Sequence, residues 1–425
     1  MYVSHSLLPR LIYIAAFSAL AGSLYATSHD HVSIATKACP ASIPAALQPQ
    51  DHTGCSLLVD DSVGYRPVDW SPWTHSPKCL PAHKKPEVKY CVFTNSQHGN
   101  QGVSIITTPE TAANNVDMLN DPGTSFARLL QNSSGGASYK IAEIPGKGKG
   151  VVATRRIERS ETIMADWASI VVDVSFPISV RRSQGYHLFH QAADQLVDPD
   201  RLLRLGHTNA LAADIMEDVI RTNAFSWYVI ETSTPYALSG EPHMAVYPEI
   251  SRINHACKPN AFIRFSPTSL AVGIIATRRI EPGEEINISY IPMGQTRDER
   301  QASLSHWGFN CTCSLCTASK TEIAASDYRR SKIDKMRKEV FQAIEAWDGT
   351  RAVKLTHEML ELLRIEELEA LYAAQYEILA RLYWKAKDIK TATKYAQQSL
   401  DVLVDLGYID DDPQSLPTLL ESFTK

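Results

Sequence analysis

The sequence predicts an α+β protein built from three unlike stretches: a polar, cysteine-bearing lead, a strand-rich middle with a helical insert, and an all-helical tail. Two observations carry this. Between Tyr139 and Tyr290 the β-branched runs are short and bounded by tight-turn residues, as strands are. Beyond Lys320 apolar residues recur every three to four positions, as in amphipathic helices. The 425 residues suffice for about two to four domains, and a 44% hydrophobic fraction is ample for a core. A formal charge of −5 gives no overall attraction to polyanions, so direct nucleic-acid binding is not expected.

The elements follow in order. Residues 1–29 hold no acid, Arg10 precedes an apolar run from Leu11 to Ala21, and small residues follow at Ala19, Ala21 and Ala26. This is the layout of a secretory signal peptide over 1–26, and the run is too short to read as a stable membrane span. Tyr90–Thr94 and Val103–Thr107 read as strands, and Pro109–Leu119 as a helix capped by Thr108. Asn132–Gly136 reads as a linker. Ile141–Ile144, Gly150–Ile157 and Thr162–Asp166 are expected strands. A helical insert is expected over Val172–Gly206, with His187, Phe189, Ala193 and Leu196 on one stripe, and a helix over Ala210–Asn223. Strands Ala271–Arg279 and Glu285–Tyr290 flank the turn Glu281-Pro-Gly-Glu284. Helices are expected over 325–348, 351–364, 366–387 and 389–406. The segment from Leu379 to Leu400 has the spacing of one tetratricopeptide helix-turn-helix unit, and reads equally as part of a plain bundle.

The eight cysteines fall into two groups. Cys39, Cys55, Cys79 and Cys91 are widely spaced; in an oxidising compartment they read as two disulfides with three possible connectivities, and otherwise as four free thiols. Cys257, Cys311, Cys313 and Cys316 make a four-sulfur set that satisfies tetrahedral Zn²⁺, one ligand from the core and three from a C-x-C-x-x-C run. Zinc is favoured there over disulfides, since C-x-C cysteines are awkward partners for each other.

Three motifs carry chemistry: Tyr247-Pro-Glu-Ile-Ser-Arg-Ile-Asn-His-Ala-Cys-Lys-Pro-Asn260, Gly283-Glu-Glu-Ile-Asn-Ile-Ser-Tyr290, and Trp307-Gly-Phe-Asn-Cys-Thr-Cys-Ser-Leu-Cys316. In this order they resemble the SET-domain protein-lysine methyltransferases over about 139–318. The motif style is nearest the MYND-type subfamily. That subfamily's Cys/His module is missing, since 158–222 contain no cysteine. The upstream run Pro145-Gly-Lys-Gly-Lys-Gly150 is followed by a strand-like segment, so it is not a dinucleotide fingerprint. It looks like the glycine turn that opens a SET domain.

The resemblance implies a β-clip SET core with a zinc-bound post-SET segment and a helical C-terminal domain. It divides the chain into a 1–26 leader, a 27–135 cysteine-containing region, a 136–292 SET domain, a 293–320 zinc segment and 321–425 helices. It also implies S-adenosylmethionine as cofactor and a protein or peptide lysine as substrate. Lys147 and Gly148 would touch the cofactor's methionine moiety, with Asn223, Asn254 and His255 in its pocket and Phe309 on its adenine. Asn223 reads equally as a helix-terminal residue. Tyr290 would be catalytic, with Tyr247 lining the lysine channel. Packing alone explains Tyr247, Trp307 and Phe309 equally well. The zinc would pin the post-SET segment over the cofactor.

The chain is expected to be a monomer in the secretory pathway or outside the cell, although a thiolate zinc site prefers a reducing nucleus or cytoplasm. Sequons at Asn132, Asn287 and Asn310 sharpen that conflict, because a glycan at either of the last two would disrupt the site. The competing function is a non-catalytic SET-derived scaffold.

Overall fold

A computed structural model of the chain describes residues 70–99, 101–119, 138–206, 212–228, 242–265, 270–407, 416–421 and 423. The expected leader, Cys39, Cys55, Asn132 and the 132–136 linker lie outside them. In chain order the strands are β1 (Lys78–Pro81), β2 (Lys89–Asn95), β3 (Val103–Thr107), β4 (Tyr139–Ile144), β5 (Gly148–Ala153), β6 (Thr162–Trp167), β7 (Ile170–Asp173), β8 (Ala224–Tyr228), β9 (Pro242–Val246), β10 (Asn254–His255), β11 (Ala261–Phe265), β12 (Ala271–Ala276) and β13 (Glu285–Ile288). The α-helices are α1 (Pro109–Asn114), α2 (Phe176–Ser179), α3 (Arg182–Asp194), α4 (Pro199–Leu203), α5 (Ile215–Asn223), α6 (Arg297–Leu304), α7 (Lys320–Glu345), α8 (Gly349–Ile365), α9 (Tyr372–Lys385), α10 (Ile389–Asp405) and α11 (Leu416–Glu421).

The strands form three sheets. One has six strands in the order β1-β2-β3-β7-β9-β8, one has four in the order β10-β13-β5-β4, and one has three in the order β11-β12-β6. The six-stranded sheet crosses the boundary expected at 135: β3 pairs in parallel with β7, Ile105 opposite Val171. Both of its faces are buried. Along β2, Cys91 and Phe93 join the core shared with the smaller sheets, where Phe93 lies 5.2 Å from Trp73. Tyr90 and Val92 face the other way, onto Phe176, Leu188 and Phe189 of the insert. That period of two is what a strand between two apolar layers requires. Cys79 and Cys91 stand opposite each other on β1 and β2 and form a disulfide.

Several boundaries differ from the expected ones. The insert opens with β7, all four residues of which are buried, so no apolar–polar alternation marks it as a strand. Within α3, Phe189 and Ala193 are buried but His187 faces solvent. The helix expected from Ala210 starts at Ile215, because Asp214 accepts hydrogen bonds from the Met216 and Glu217 N–H groups and fixes the N-terminus there. Thr108 caps α1 as expected, but the helix ends at Asn114 and a 3₁₀ turn follows over Val116–Leu119. Strands β12 and β13 stop at Ala276 and Ile288, so Tyr290 lies just past a strand end.

The tail holds two helical pairs that repeat one device. Asp348 accepts from the Arg351 N–H to start α8, and Asp388 accepts from the Thr391 N–H to start α10. Trp347 and Lys387 precede them with φ of 60° and 66°. Gly349 therefore opens a helix rather than breaking one. Glu367 at φ 57° delays the third long helix to Tyr372 instead of 366. Two such units, not one, have the tetratricopeptide-like layout. The tail packs back on the strand-rich core through Arg159–Asp405 at 3.0 Å, Lys258–Glu367 at 3.3 Å, and Gly407 against Ile275. No helix among the described residues is long and apolar enough to cross a membrane.

Candidate active site

The turn between β4 and β5 places Lys147 and Gly148 beside β13. Gly148 has φ 71°, and a Cβ there would meet nothing within 4 Å, so the turn faces open space. Lys147 Nζ lies 2.6 Å from Glu285 Oε2. Glu285 Oε1 accepts from Asn254 Nδ2 at 2.9 Å, and the same Nδ2 donates to the Lys149 carbonyl at 3.3 Å. Asn254 reaches this position because β10 pairs in parallel with β13, Asn254 opposite Asn287.

His255 and Tyr290 are joined one residue further along. The Tyr290 N–H donates to His255 Nδ1 at 3.1 Å, so the imidazole proton sits on Nε2, which is 3.3 Å from Cys257 Sγ. Burial lowers the His255 pKa to about 4, which keeps the ring neutral. The Tyr290 hydroxyl donates to the Ile253 carbonyl at 2.6 Å, and burial pushes its pKa well above the usual tyrosine range. Trp307 and Phe309 complete the surround, their ring centroids 5.7 and 6.5 Å from that of Tyr290.

Tyr247 is fully buried between Phe225 and Phe265, at 6.0 and 6.2 Å, and its hydroxyl has no hydrogen-bond partner. Asn223 goes elsewhere: its Nδ2 donates to the Leu205 and Val219 carbonyls, the helix-terminal arrangement, and does not reach Asn254 or Tyr290. Its neighbour Phe225 is the residue of that motif that meets Tyr247.

The four downstream cysteines converge. Their sulfurs lie within 4.8 Å of one another, with Cys257 Sγ 3.8 Å from Cys311 Sγ and 3.5 Å from Cys316 Sγ. A zinc tetrahedron with bonds of about 2.3 Å has edges of about 3.8 Å, so the donor set fits. Arg300, 2% exposed, points a guanidinium N–H at Cys316 Sγ from 3.7 Å. Its charge offsets that of thiolates gathered in a buried place.

The family model described as SET domain matches residues 148–291. This is a SET-domain protein. Its sequence is 30% identical over 205 residues to a histone-lysine N-methyltransferase, set5, of Schizosaccharomyces pombe, covering 46% of this chain and 56% of the relative. It is 27% identical over 156 residues to the N-lysine methyltransferase SMYD2-A of Danio rerio, covering 34% and 35%. It is 40% identical over 77 residues to the histone-lysine N-methyltransferase SMYD3 of Homo sapiens, covering 18% of each. The chain thus spans between about a fifth and just over half the length of these relatives.

Two features of the SET domain were not foreseen. Glu285 was read as strand, yet it joins Lys147 to Asn254; its signal was the second acid of Gly283-Glu-Glu285. Arg300 gave no signal, since a helical arginine is ordinarily solvated. A cavity of about 230 Å³ lies between Gln101, Asp166, Trp167, Arg201 and Glu249 and holds none of the motif residues.

Proposed function

We propose that this chain transfers a methyl group from S-adenosylmethionine to the side-chain amine of a lysine in a protein or peptide. One observation carries the reading: Asn254, His255 and Tyr290 meet the open-faced Lys147–Gly148 turn at the β10–β13 pair. The printed names of the relatives, all lysine methyltransferases, support it. The residues fit the cofactor, because a cation, a polar amide and a glycine without a side chain line free space where a small zwitterion can approach the backbone.

The cofactor supplies an electrophilic methyl on a sulfonium sulfur. Lys147, Gly148, Asn254 and His255 would hold it, with Phe309 against its adenine. The Tyr290 hydroxyl commits its proton to the Ile253 carbonyl, which leaves the oxygen lone pairs as acceptors for polarised C–H groups. Burial keeps that hydroxyl un-ionised, so its work is alignment rather than proton removal. The incoming lysine must be neutral, and its pKa in water is about 10.4. An aromatic wall of Phe225, Tyr247 and Phe265 would disfavour the ammonium. Cys257, Cys311, Cys313 and Cys316 would bind Zn²⁺ and hold Trp307 and Phe309 in place. The Cys79–Cys91 disulfide supports an oxidising compartment as the place of work.

The test is transfer of radiolabelled methyl by the zinc-loaded full chain onto a cell lysate, beside Tyr290→Phe and Asn254→Ala. Labelled bands should weaken about 10- to 100-fold in both variants. A wild type that neither binds the cofactor nor labels anything would leave the scaffold as the better account.

A further inference from the structure

The Lys147–Glu285 pair has a consequence for ligand choice, and it rests on the methyl-transfer reading. Three elements bring the pair together. Lys147 comes from the turn between β4 and β5, Glu285 from the start of β13, and Asn254 from β10. The Lys147 and Glu285 side chains are 28% and 18% exposed, so the pair is largely sheltered. It nonetheless borders the open space in front of Gly148. The Glu285 carboxylate is held from two sides, since one oxygen takes the lysine ammonium and the other takes the Asn254 amide. Gly150 backs the arrangement so closely that a Cβ would come within 3.1 Å of Glu285 Oε1. The carboxylate therefore has little freedom to swing away.

We infer that Glu285 and Lys147 form a zwitterion clamp that selects a ligand carrying an α-ammonium and an α-carboxylate on one carbon. On binding, the ligand carboxylate takes Lys147 Nζ and the ligand ammonium takes Glu285 Oε2. One ion pair is exchanged for two antiparallel ones. Each new contact is a charge-assisted hydrogen bond, the stronger class of such bonds. A ligand with only one of the two charges leaves half of the sheltered pair without a partner, the costly outcome for a desolvated charge. Glu285 is thus a binding residue in its own right, and the clamp gives a reason for an acid beside a site whose other cofactor contacts are a lysine and neutral groups.

Isothermal titration of the zinc-loaded full chain tests this with three thioethers of adenosine. S-Adenosylhomocysteine carries both charges, its decarboxylated analogue keeps only the amine, and its deamino analogue keeps only the carboxylate. The wild type should bind the zwitterion at least about ten-fold tighter than either analogue. Glu285→Gln should lose that margin for the two amine-bearing ligands while binding the deamino analogue as well as before or better. Lys147→Met should show the mirror pattern. Equal wild-type affinity for S-adenosylhomocysteine and its deamino analogue would overturn the clamp and leave methyl transfer standing, as would a Glu285→Gln variant that weakens all three ligands alike. Failure of the wild type to bind any of the three would overturn the methyl-transfer reading and the clamp with it.

Discussion

A methyl group added at Gly150 would sit 2.5 Å from Ile144 Cγ1 and 2.7 Å from Asn254 Nδ2. Neither neighbour is free to retreat, since Ile144 belongs to the paired strand and Asn254 is tied to Glu285 and Lys149. Overpacking of this kind costs about 1–3 kcal/mol. Gly150→Ala should therefore lower the thermal midpoint and weaken binding of S-adenosylhomocysteine together. A variant that melts like the wild type and binds as well would show that β5 has slack the packing does not suggest. Gly148, two residues away, has the opposite character, with space for a side chain but a φ that disfavours one. The sequence shows both only as glycines in a turn. Which one is crowded and which one faces a void depends on residues more than a hundred positions downstream.

At the scale of the element, the segment from Trp307 to Cys316 is organised by its cysteines rather than by a helix or a strand. Three of the four sulfurs come from this segment and the fourth from beside β10, so a bound metal would close a loop across the site. The purified chain should carry about one zinc, by elemental analysis. Chelation at neutral pH should speed amide exchange over 307–317 while leaving β2, β3 and β7 protected. Unchanged exchange after complete metal removal would mean that Arg300, Gln301 and the surrounding packing hold the segment by themselves. This part of the site was legible, because C-x-C-x-x-C with a distant cysteine is a ligand pattern before it is a structure. The short strands β8 to β11 were not legible. They are two to five residues long, and pairing with distant partners defines them more than local propensity does.

At the scale of the whole molecule, the tail meets the zinc segment through buried charge. The Gln295 carbonyl accepts from Arg300 and from Arg330, and Arg330 also pairs with Glu366 at 2.7 Å, each partner 1% exposed. Arg329 and Ser326 donate to the same carboxylate. Burial alone would push the Glu366 carboxyl up; hydrogen bonds from Ser326, Arg330 and Arg329 outweigh it and hold the group below its usual range. A carboxylate depressed in the folded state stabilises fully above its unfolded value, near 4.3, and the gain is lost as pH falls through the lower folded value. Acid should therefore loosen α7 and α8 below about pH 4. Glu366→Gln should do so at pH 7, costing about 3–5 kcal/mol in urea unfolding by leaving Arg330 buried without an anion. Equal stability of this variant and the wild type at pH 7 would remove the carboxylate from any structural role. The sequence gave no hint of this, since Glu366 reads as one more polar residue at a helix start.

The six-stranded sheet bears on how the protein keeps to itself. Every residue of Ile170–Asp173 is buried, and β3 satisfies one side of that strand from a segment upstream of all the motifs of the site. Without β1 to β3, an apolar strand with a row of free N–H and C=O groups would stand at the margin of the molecule, and such an edge is a template for pairing with a second chain. The lead segment thus acts as a guard against self-association, and its outer strand β1 presents lysine and proline at its ends, residues that discourage further additions.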